Sequence, residues 1–185
     1  MKYIATVFVI CAAALLTSCG HDAGSGPTTV SQAPTARTIA QDTKLIGAPV
    51  NDAVYFVVIP VTESASGRWE ATVDWKAATN ELWMWVADGA CSAEKFAQPE
   101  CPFEAACPCQ FAVRSEVATP KPRVLTISNA SGGTRNLIVV NLGPGEESIS
   151  YTVKLMSTGL LSGDGAGASP APVTSGRKSI SRNGT

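Results

Sequence analysis

Histidine is almost absent from this sequence, which contains a single one, His21, among 185 residues. Ser-His-Asp and Cys-His arrangements need a histidine as general base, and His21 lies in a small, polar stretch outside any apolar region that could form a domain. Histidine-ligated metal catalysis is excluded by the same count. The segments Gly132-Gly133 and Gly143-Pro144-Gly145 lack the flanking residues of a phosphate-binding loop and predict hairpin turns.

Paired carboxylates are the one catalytic arrangement for which the sequence supplies residues. Glycosidases use two such groups as acid and base or nucleophile. The candidates lie in or beside predicted strands, where such side chains usually form the solvated face, and they are Glu63, Glu70, Asp74, Glu81 and Asp88. We therefore predict a protein that is not an enzyme and that holds no cofactor and no metal.

Charge is also scarce in this chain. Charged residues make up 16% of it, the formal net charge is −1, and the basic residues form no run. Proteins that bind nucleic acid usually present a basic patch to the phosphate backbone. The sequence therefore predicts no nucleic-acid partner.

No apolar run is long enough to span a bilayer as a helix, which takes about 20 residues. The longest is Tyr3–Leu16, with 14 residues, and Lys2 supplies a positive charge just before it. A short apolar stretch after an N-terminal cation is typical of a secretory signal peptide. We therefore expect the chain to be exported.

The four residues that end this stretch, Leu16-Thr17-Ser18-Cys19, combine an aliphatic residue, two small residues and a cysteine. This pattern resembles the lipobox of bacterial lipoproteins. The resemblance implies that diacylglycerol is attached to the thiol of Cys19, that the signal is cut before it, and that the new amine is acylated. The alternative is an ordinary signal peptide with a cysteine at that place by chance.

The residue after the anchor is Gly20 rather than aspartate. In Gram-negative lipoproteins an aspartate there commonly retains the protein at the inner membrane, so the resemblance implies an outer-membrane location if the host is Gram-negative. The expected location is the cell envelope, with the membrane bound through the N-terminal lipid.

Composition divides the chain into four parts. Residues 1–18 are the predicted signal peptide, and residues 19–44 are a lipidated tether rich in Gly, Ser, Thr, Pro and Ala. Residues 158–185 have a similar composition and predict a disordered tail, because such segments bury too little apolar surface to offset the entropy of ordering. Residues 45–157 are the predicted domain, with a cysteine-rich loop at 90–110.

The predicted domain has the periodicity of β-strands. Apolar and polar residues alternate with period two in Arg68–Trp75 and Ile149–Leu155, whereas a helix would repeat near 3.6. Two apolar runs predict central strands covered on both faces. The remaining segments are two clear strands and two weaker candidates, and no segment is convincingly helical. These elements are Val54–Val61, Leu137–Leu142, Glu81–Ala87, Arg123–Ser128, Thr38–Ile46 and Gln110–Glu116. We predict an all-β fold, an antiparallel β-sandwich of about seven or eight strands.

From Val54 to Leu155 the order of motifs resembles the bacterial pre-peptidase C-terminal domain. The matching segments are Val73-Asp74-Trp75, Asn80-Glu81-Leu82-Trp83-Met84-Trp85, Asn136–Leu142 and Ser150-Tyr151-Thr152-Val153. The resemblance implies a jelly-roll-like sandwich of the kind attached to many secreted proteins. The family usually has aspartates where this chain has Asn80 and Glu81, and it lacks the cysteine-rich loop.

Six cysteines are present, of which Cys11 leaves with the predicted signal and Cys19 carries the predicted lipid. The other four lie in one loop, and an even number in an exported domain predicts two disulfides. They are Cys91, Cys101, Cys107 and Cys109. A four-cysteine zinc site is the alternative, although the spacing is unusual for zinc.

A bond between Cys107 and Cys109 is disfavoured, because a single residue separates them and their thiols point apart. Two pairings remain. One joins Cys91 to Cys107 and Cys101 to Cys109, and the other joins Cys91 to Cys109 and Cys101 to Cys107. We favour the second, which nests one loop inside the other.

Two tryptophans alternate with core residues in Glu81–Ala87. Leu82, Met84 and Val86 can fill the core, which places Trp83 and Trp85 on the opposite face. There they either form a platform for a sugar ring or a protein partner, or are covered by the cysteine-rich loop or the tether.

The sequence thus predicts a lipid-anchored envelope lipoprotein with a non-enzymatic, structural or accessory β-sandwich. The alternative is a binding module that uses the tryptophans or the cysteine-rich loop to hold a glycan or an envelope protein.

Overall fold

Nine strands and one helical turn make up the part of the chain that the computed structural model describes, namely residues 34–51, 53–117, 121–157 and 172–179. In chain order they are β1 (Thr35–Ile46), β2 (Ala53–Glu63), β3 (Gly67–Trp75), β4 (Leu82–Asp88), α1 (Ala93–Phe96), β5 (Phe111–Ser115), β6 (Arg123–Ala130), β7 (Gly133–Asn141), β8 (Glu147–Ser157) and β9 (Thr174–Ser179). The predicted signal peptide, Cys19, Gly20 and His21 lie outside the described residues.

The strands form two antiparallel sheets. One has the order β1-β8-β3-β6 and the other the order β5-β4-β7-β2-β9. The paired strands are β1 with β8, β2 with β7, β3 with β6 and β4 with β5, which is the pattern of one long hairpin rolled into a sandwich. This is the connectivity of a jelly roll, with β9 added beside β2. The predicted all-β sandwich is confirmed.

The four-stranded sheet is covered on one face only, as its alternating sequence predicts. In β3 the side chains of Trp69, Ala71 and Val73 are buried between the sheets, while Arg68 and Asp74 are exposed on the other face. β8 repeats the pattern with Val153 inside and Lys154 outside. Period-two alternation is therefore sufficient to assign the two faces of this sheet.

The five-stranded sheet is covered on both faces. In β2, Val57 and Ile59 pack against the first sheet, whereas Phe56 and Val58 belong to a second apolar cluster on the opposite face. β7 divides its side chains in the same way. The continuous apolar runs in these two strands predicted this arrangement, and it is confirmed.

The sandwich extends past both predicted boundaries. β1 begins at Thr35, so residues 35–44 are a strand rather than tether. It lies at an edge and buries fully only Ile46, which explains its weak pattern. The prediction of a disordered tail also does not hold for residues 174–179, which form β9 and pair with β2.

α1 is a single turn inside the cysteine-rich loop. The hydroxyl of Ser92 accepts a hydrogen bond of 3.3 Å from the backbone N–H of Lys95, a common helix N-cap. Within the described ranges, no helix has the length and hydropathy needed to cross a bilayer.

Candidate functional site

The cysteine-rich loop connects β4 to β5 and covers the outer face of the five-stranded sheet. Its disulfides join Cys91 to Cys109 and Cys101 to Cys107. This is the nested pairing, so the prediction of two disulfides is confirmed and the zinc alternative is not, since a cysteine in a disulfide has no thiolate to offer a metal. The inner bridge closes a small ring, residues 101–107, which we call the loop tip.

Phe96, at the end of α1, anchors the loop on the sheet. Its ring is fully buried and lies 5.0 Å from that of Phe56, 5.6 Å from that of Trp85 and 6.3 Å from that of Phe111, measured between centroids. Burying an aromatic side chain of this size contributes about 1.5–3 kcal/mol. The loop is therefore held by its own small hydrophobic core, which Cys91, Cys101 and Cys109 complete.

The two tryptophans lie on the predicted face of β4, but they do not form an open platform. Trp85 is 0% exposed beneath the loop, and its indole N–H donates to Glu116 at 2.8 Å. Trp83 is partly buried, and its N–H donates to Glu81 at 2.7 Å. The hypothesis of a two-tryptophan ligand platform is thus corrected, because the cysteine-rich loop covers Trp85.

An aromatic pair remains at the surface beside the loop tip. Phe103 is 49% exposed, and its ring lies edge-on to that of Trp83 with centroids 5.7 Å apart. The flanking residue Glu104 is exposed as well. The loop tip thus presents an apolar side chain on a short ring closed by a disulfide. No feature of the sequence distinguished Phe103 from the other loop residues.

Polar side chains from two strands of the five-stranded sheet hold the backbone of the loop. Asn136 in β7 donates to the carbonyl of Asp88 at 3.1 Å and to that of Cys91 at 2.9 Å. Lys178 in β9 donates to the carbonyls of Phe96 at 2.8 Å and Gln98 at 2.5 Å. These donors add to the loop's own backbone hydrogen bonds, in which the carbonyls of Asp88 and Gln98 also take part.

Lys178 is an unusual residue to find buried, at 4% exposure. Burial lowers the pKa of its amine to about 8, although the nearby carboxylate of Glu100 acts in the opposite direction. Its charged form is stabilised by the two carbonyls and by the ring of Phe96, 5.0 Å away. Lys178 falls in the segment predicted to be a disordered tail, because a six-residue polar strand carries little periodic signal.

Lys178→Met is expected to alter how stability changes with pH. The pKa of Lys178 in the folded chain, about 8, lies below the ordinary 10.5, so the unfolded chain binds more protons between these values. The free energy of unfolding of the wild type should therefore rise with pH in this window, by about 1–3 kcal/mol relative to the variant. Urea denaturation from pH 7 to 10.5 measures it, with exposed Lys154→Met as control. Parallel curves for wild type and Lys178→Met would contradict this role.

The sulfur atoms of the two disulfides lie close together. The Sγ atoms of Cys101, Cys107 and Cys109 are all within 4.8 Å of one another, and Cys91 is bonded to Cys109. Of the four, Cys107 is partly exposed, and the other three are buried. The loop thus gathers two disulfides into one cluster with a single accessible end.

The carboxylates proposed as catalytic candidates are engaged separately. Glu63 pairs with Arg37 at 2.6 Å, and Glu70 pairs with Arg68 at 3.0 Å. Asp74 lies 3.7 Å from the amine of Lys121, while Asp88 accepts from the N–H of Ala90 at 3.1 Å. Each of these groups has a donor of its own, and Glu81 has Trp83.

A surface pocket of about 340 Å³ lies at one end of β4 and β5. Its polar groups are partly engaged within the chain, since Arg135 donates to the carbonyl of Ser131 at 2.6 Å. The lining residues are Ala87, Asp88, Gln110, Phe111, Ala112, Ser131, Gly132, Thr134 and Arg135.

Glu147 is a buried carboxylate that the sequence analysis did not single out. It is 2% exposed and accepts four hydrogen bonds, from Asn80 at 2.8 Å and from the backbone N–H groups of Lys76, Ala77 and Ser148 at 3.0 Å each. Burial acts to raise the pKa of Glu147, but the hydrogen bonds together hold it below the ordinary value. Its role is to fix the connection between β3 and β4.

Arg123 is the second buried charge without a sequence signal. Its Nη1 donates to the carbonyl of Leu82 at 2.6 Å, which joins β6 of one sheet to β4 of the other. The guanidinium carbon lies 5.4 Å from the ring centroid of Trp75. Burial lowers the pKa of Arg123, and the charge of Glu81 opposes that effect.

Comparison with known proteins yields little. No protein-family model matches the sequence, and no curated protein matches it. Among solved structures, the chain shows a likeness to the crystal structure of Yersinia pseudotuberculosis-derived mitogen, with 11% sequence identity and a TM-score of 0.43, over 75% of this chain and 100% of the other.

Proposed function

We propose that this protein is an exported lipoprotein, anchored by lipid at Cys19, whose β-sandwich has a non-enzymatic, accessory role in the cell envelope. The observation that carries the proposal is the pair of disulfides in the cysteine-rich loop. Such bridges persist mainly in exported proteins, since the cytosol keeps thiols reduced. Export agrees with the N-terminal signal, and the lipobox at Leu16–Cys19 adds the anchor.

The accessory role has three supports. One histidine in the whole chain leaves the domain without the usual general base. The carboxylates that could replace it are each engaged by a donor of their own, as with Glu63 and Arg37. We include in the proposal the resemblance to the bacterial pre-peptidase C-terminal domain. That domain is a sandwich attached to many secreted proteins, which agrees with an accessory role.

Cys19→Ala is the direct test of the anchor. The variant has no thiol to receive diacylglycerol, so we expect loss of lipid labelling, loss of processing before residue 19, and a longer precursor on gels. Metabolic labelling with a fatty-acid analogue measures the first, and N-terminal sequencing measures the second. Cys11→Ala is the matched control and should be processed normally. Normal labelling and cleavage of Cys19→Ala would refute the anchor.

A binding role is the second candidate, and the exposure of Phe103 favours it. The Cys101–Cys107 disulfide restricts the conformations of the loop tip, which presents this exposed ring. The loop tip would therefore lose little conformational entropy when it binds a partner. Exposed aromatic rings backed by rigid structure are frequent binding anchors. The partner would be an envelope protein or a glycan.

Phe103→Ala tests this second candidate. We expect the substitution to reduce the recovery of any specific partner at least tenfold in affinity capture from the native envelope, because the exposed ring is lost while the loop's core stays intact. The control is Val117→Ala, which removes another exposed apolar side chain. Equal recovery with both variants would rule out the loop tip as the contact.

A further inference from the structure

The two disulfides of the cysteine-rich loop lie close enough together to react with each other. Two bridges whose sulfurs lie within 4.8 Å are near enough for one side-chain rotation to bring a sulfur of one against a sulfur of the other. Thiol–disulfide exchange needs such an approach, by a thiolate attacking a disulfide sulfur. The two disulfides of this cluster are therefore close enough to exchange with each other.

The two bridges differ in access from outside. Cys107 is partly exposed, whereas its partner Cys101 and both cysteines of the other bridge are buried. An external thiolate can therefore reach the cluster at Cys107 first, and attack there makes Cys101 the leaving group. Cys101 would be released within 4.8 Å of Cys109.

We propose that the four cysteines form a thiol–disulfide exchange site that accepts two electrons from a dithiol, at the exposed bridge, and passes them to the buried one. The ligand class is a protein or small molecule with two thiols spaced so that they can close an unstrained disulfide ring. The exchange does not require the lipid anchor. It gives the cysteine-rich loop a chemistry beyond stiffening.

The exchange balances in three steps. A thiolate of the dithiol attacks Sγ of Cys107, forms a mixed disulfide and releases Cys101 as thiolate. Cys101 then attacks Sγ of Cys109, forms a new Cys101–Cys109 bond and releases Cys91. Finally the second thiol of the dithiol attacks its own mixed disulfide and releases Cys107. The dithiol loses two electrons and two protons, and Cys91 and Cys107 become thiols.

The test uses the oxidised full chain with Cys11→Ala and Cys19→Ala, so that the four loop cysteines are the ones that remain. One equivalent of dithiothreitol is added at pH 8, and the thiols are trapped with N-ethylmaleimide before peptide mass mapping. Exchange predicts a Cys101–Cys109 cross-linked peptide together with label on Cys91 and Cys107. Simple reduction of the exposed bridge predicts label on Cys101 and Cys107 alone, with Cys91–Cys109 intact, and that result would overturn the proposal. The same reaction in urea is the control for random disulfide scrambling. Unfolded chains should form other cysteine pairings as well as Cys101–Cys109.

A second variant tests the same transfer without a reductant. Cys91→Ala leaves the thiol of Cys109 beside the Cys101–Cys107 bridge. Exchange predicts that at pH 8 the free thiol is found on Cys107 as well as on Cys109, with a Cys101–Cys109 bond in that fraction. A thiol confined to Cys109 in a chain with native circular dichroism counts against the site. The matched control is Cys91→Ala with Cys101→Ala and Cys107→Ala, which has no bridge to attack.

Discussion

Trp85→Ala is expected to lower the free energy of unfolding by about 3–5 kcal/mol, the usual cost of removing a large buried aromatic side chain. Trp85 is fully buried and contacts both Phe96 and Phe111, so its loss opens a cavity between the sheet and the cysteine-rich loop. The two disulfides keep the loop near the sheet, and this limits how far the cavity can collapse.

Urea denaturation of the oxidised chain, followed by far-ultraviolet circular dichroism, measures this effect. Trp83→Ala is the matched control, because Trp83 is on the same face of β4 but only partly buried. It should cost about 1–2 kcal/mol, in proportion to the smaller area it buries. Equal losses in both variants would show that the loop does not cover Trp85 in solution.

Glu147→Gln is expected to lower the free energy of unfolding by about 2–4 kcal/mol at neutral pH. Each carboxylate oxygen of Glu147 accepts two hydrogen bonds. Glutamine replaces one oxygen by an NH₂ group, which cannot accept, so two donors lose their partner and face another donor. Buried donors without partners cost about 1–3 kcal/mol each. The exposed neighbour provides the control, and Glu146→Gln should change stability by less than about 0.5 kcal/mol.

The same carboxylate predicts an acid dependence. The pKa of Glu147 in the folded chain lies below its ordinary value of 4.5, so the unfolded chain takes up the proton more readily. Its stabilising contribution is present above pH 4.5 and is lost as pH falls through the folded-state pKa. The free energy of unfolding, measured by urea denaturation at several pH values from 7 to 3, should therefore fall more steeply with decreasing pH for Glu146→Gln than for Glu147→Gln. A difference between the two variants that stays constant over that range would exclude Glu147 as the titrating group.

Strand-level features were predictable because they repeat along the sequence. The alternation in β3 and β8 assigned both faces of the first sheet, and the apolar runs in β2 and β7 indicated a covering layer. The cysteine count and spacing led to the nested disulfides. Each of these signals is local, so each is visible in a short stretch of sequence.

Contacts between distant segments were not predictable in the same way. β9 is short and polar, and it becomes a strand because β2 offers an unpaired edge more than a hundred residues earlier in the chain. Glu147 and Asn80 meet only when β8 lies beside β3. Lys178 is buried where it donates to two carbonyls of the cysteine-rich loop, those of Phe96 and Gln98. Such roles depend on tertiary neighbours, which one sequence does not reveal.

The position of the cysteine-rich loop within the rolled hairpin has a consequence for folding. β4 and β5 form its innermost pair, and the pairs outside it join strands that are progressively farther apart in sequence. Such non-local topologies fold slowly, because loop-closure entropy is lost before contacts compensate for it. The Cys91–Cys109 bond joins residues 18 apart just beyond the ends of these two strands. In the oxidised chain this bond keeps the ends of β4 and β5 close together even when the chain is unfolded, so we expect the innermost pair to form with a smaller loss of loop-closure entropy than the outer pairs.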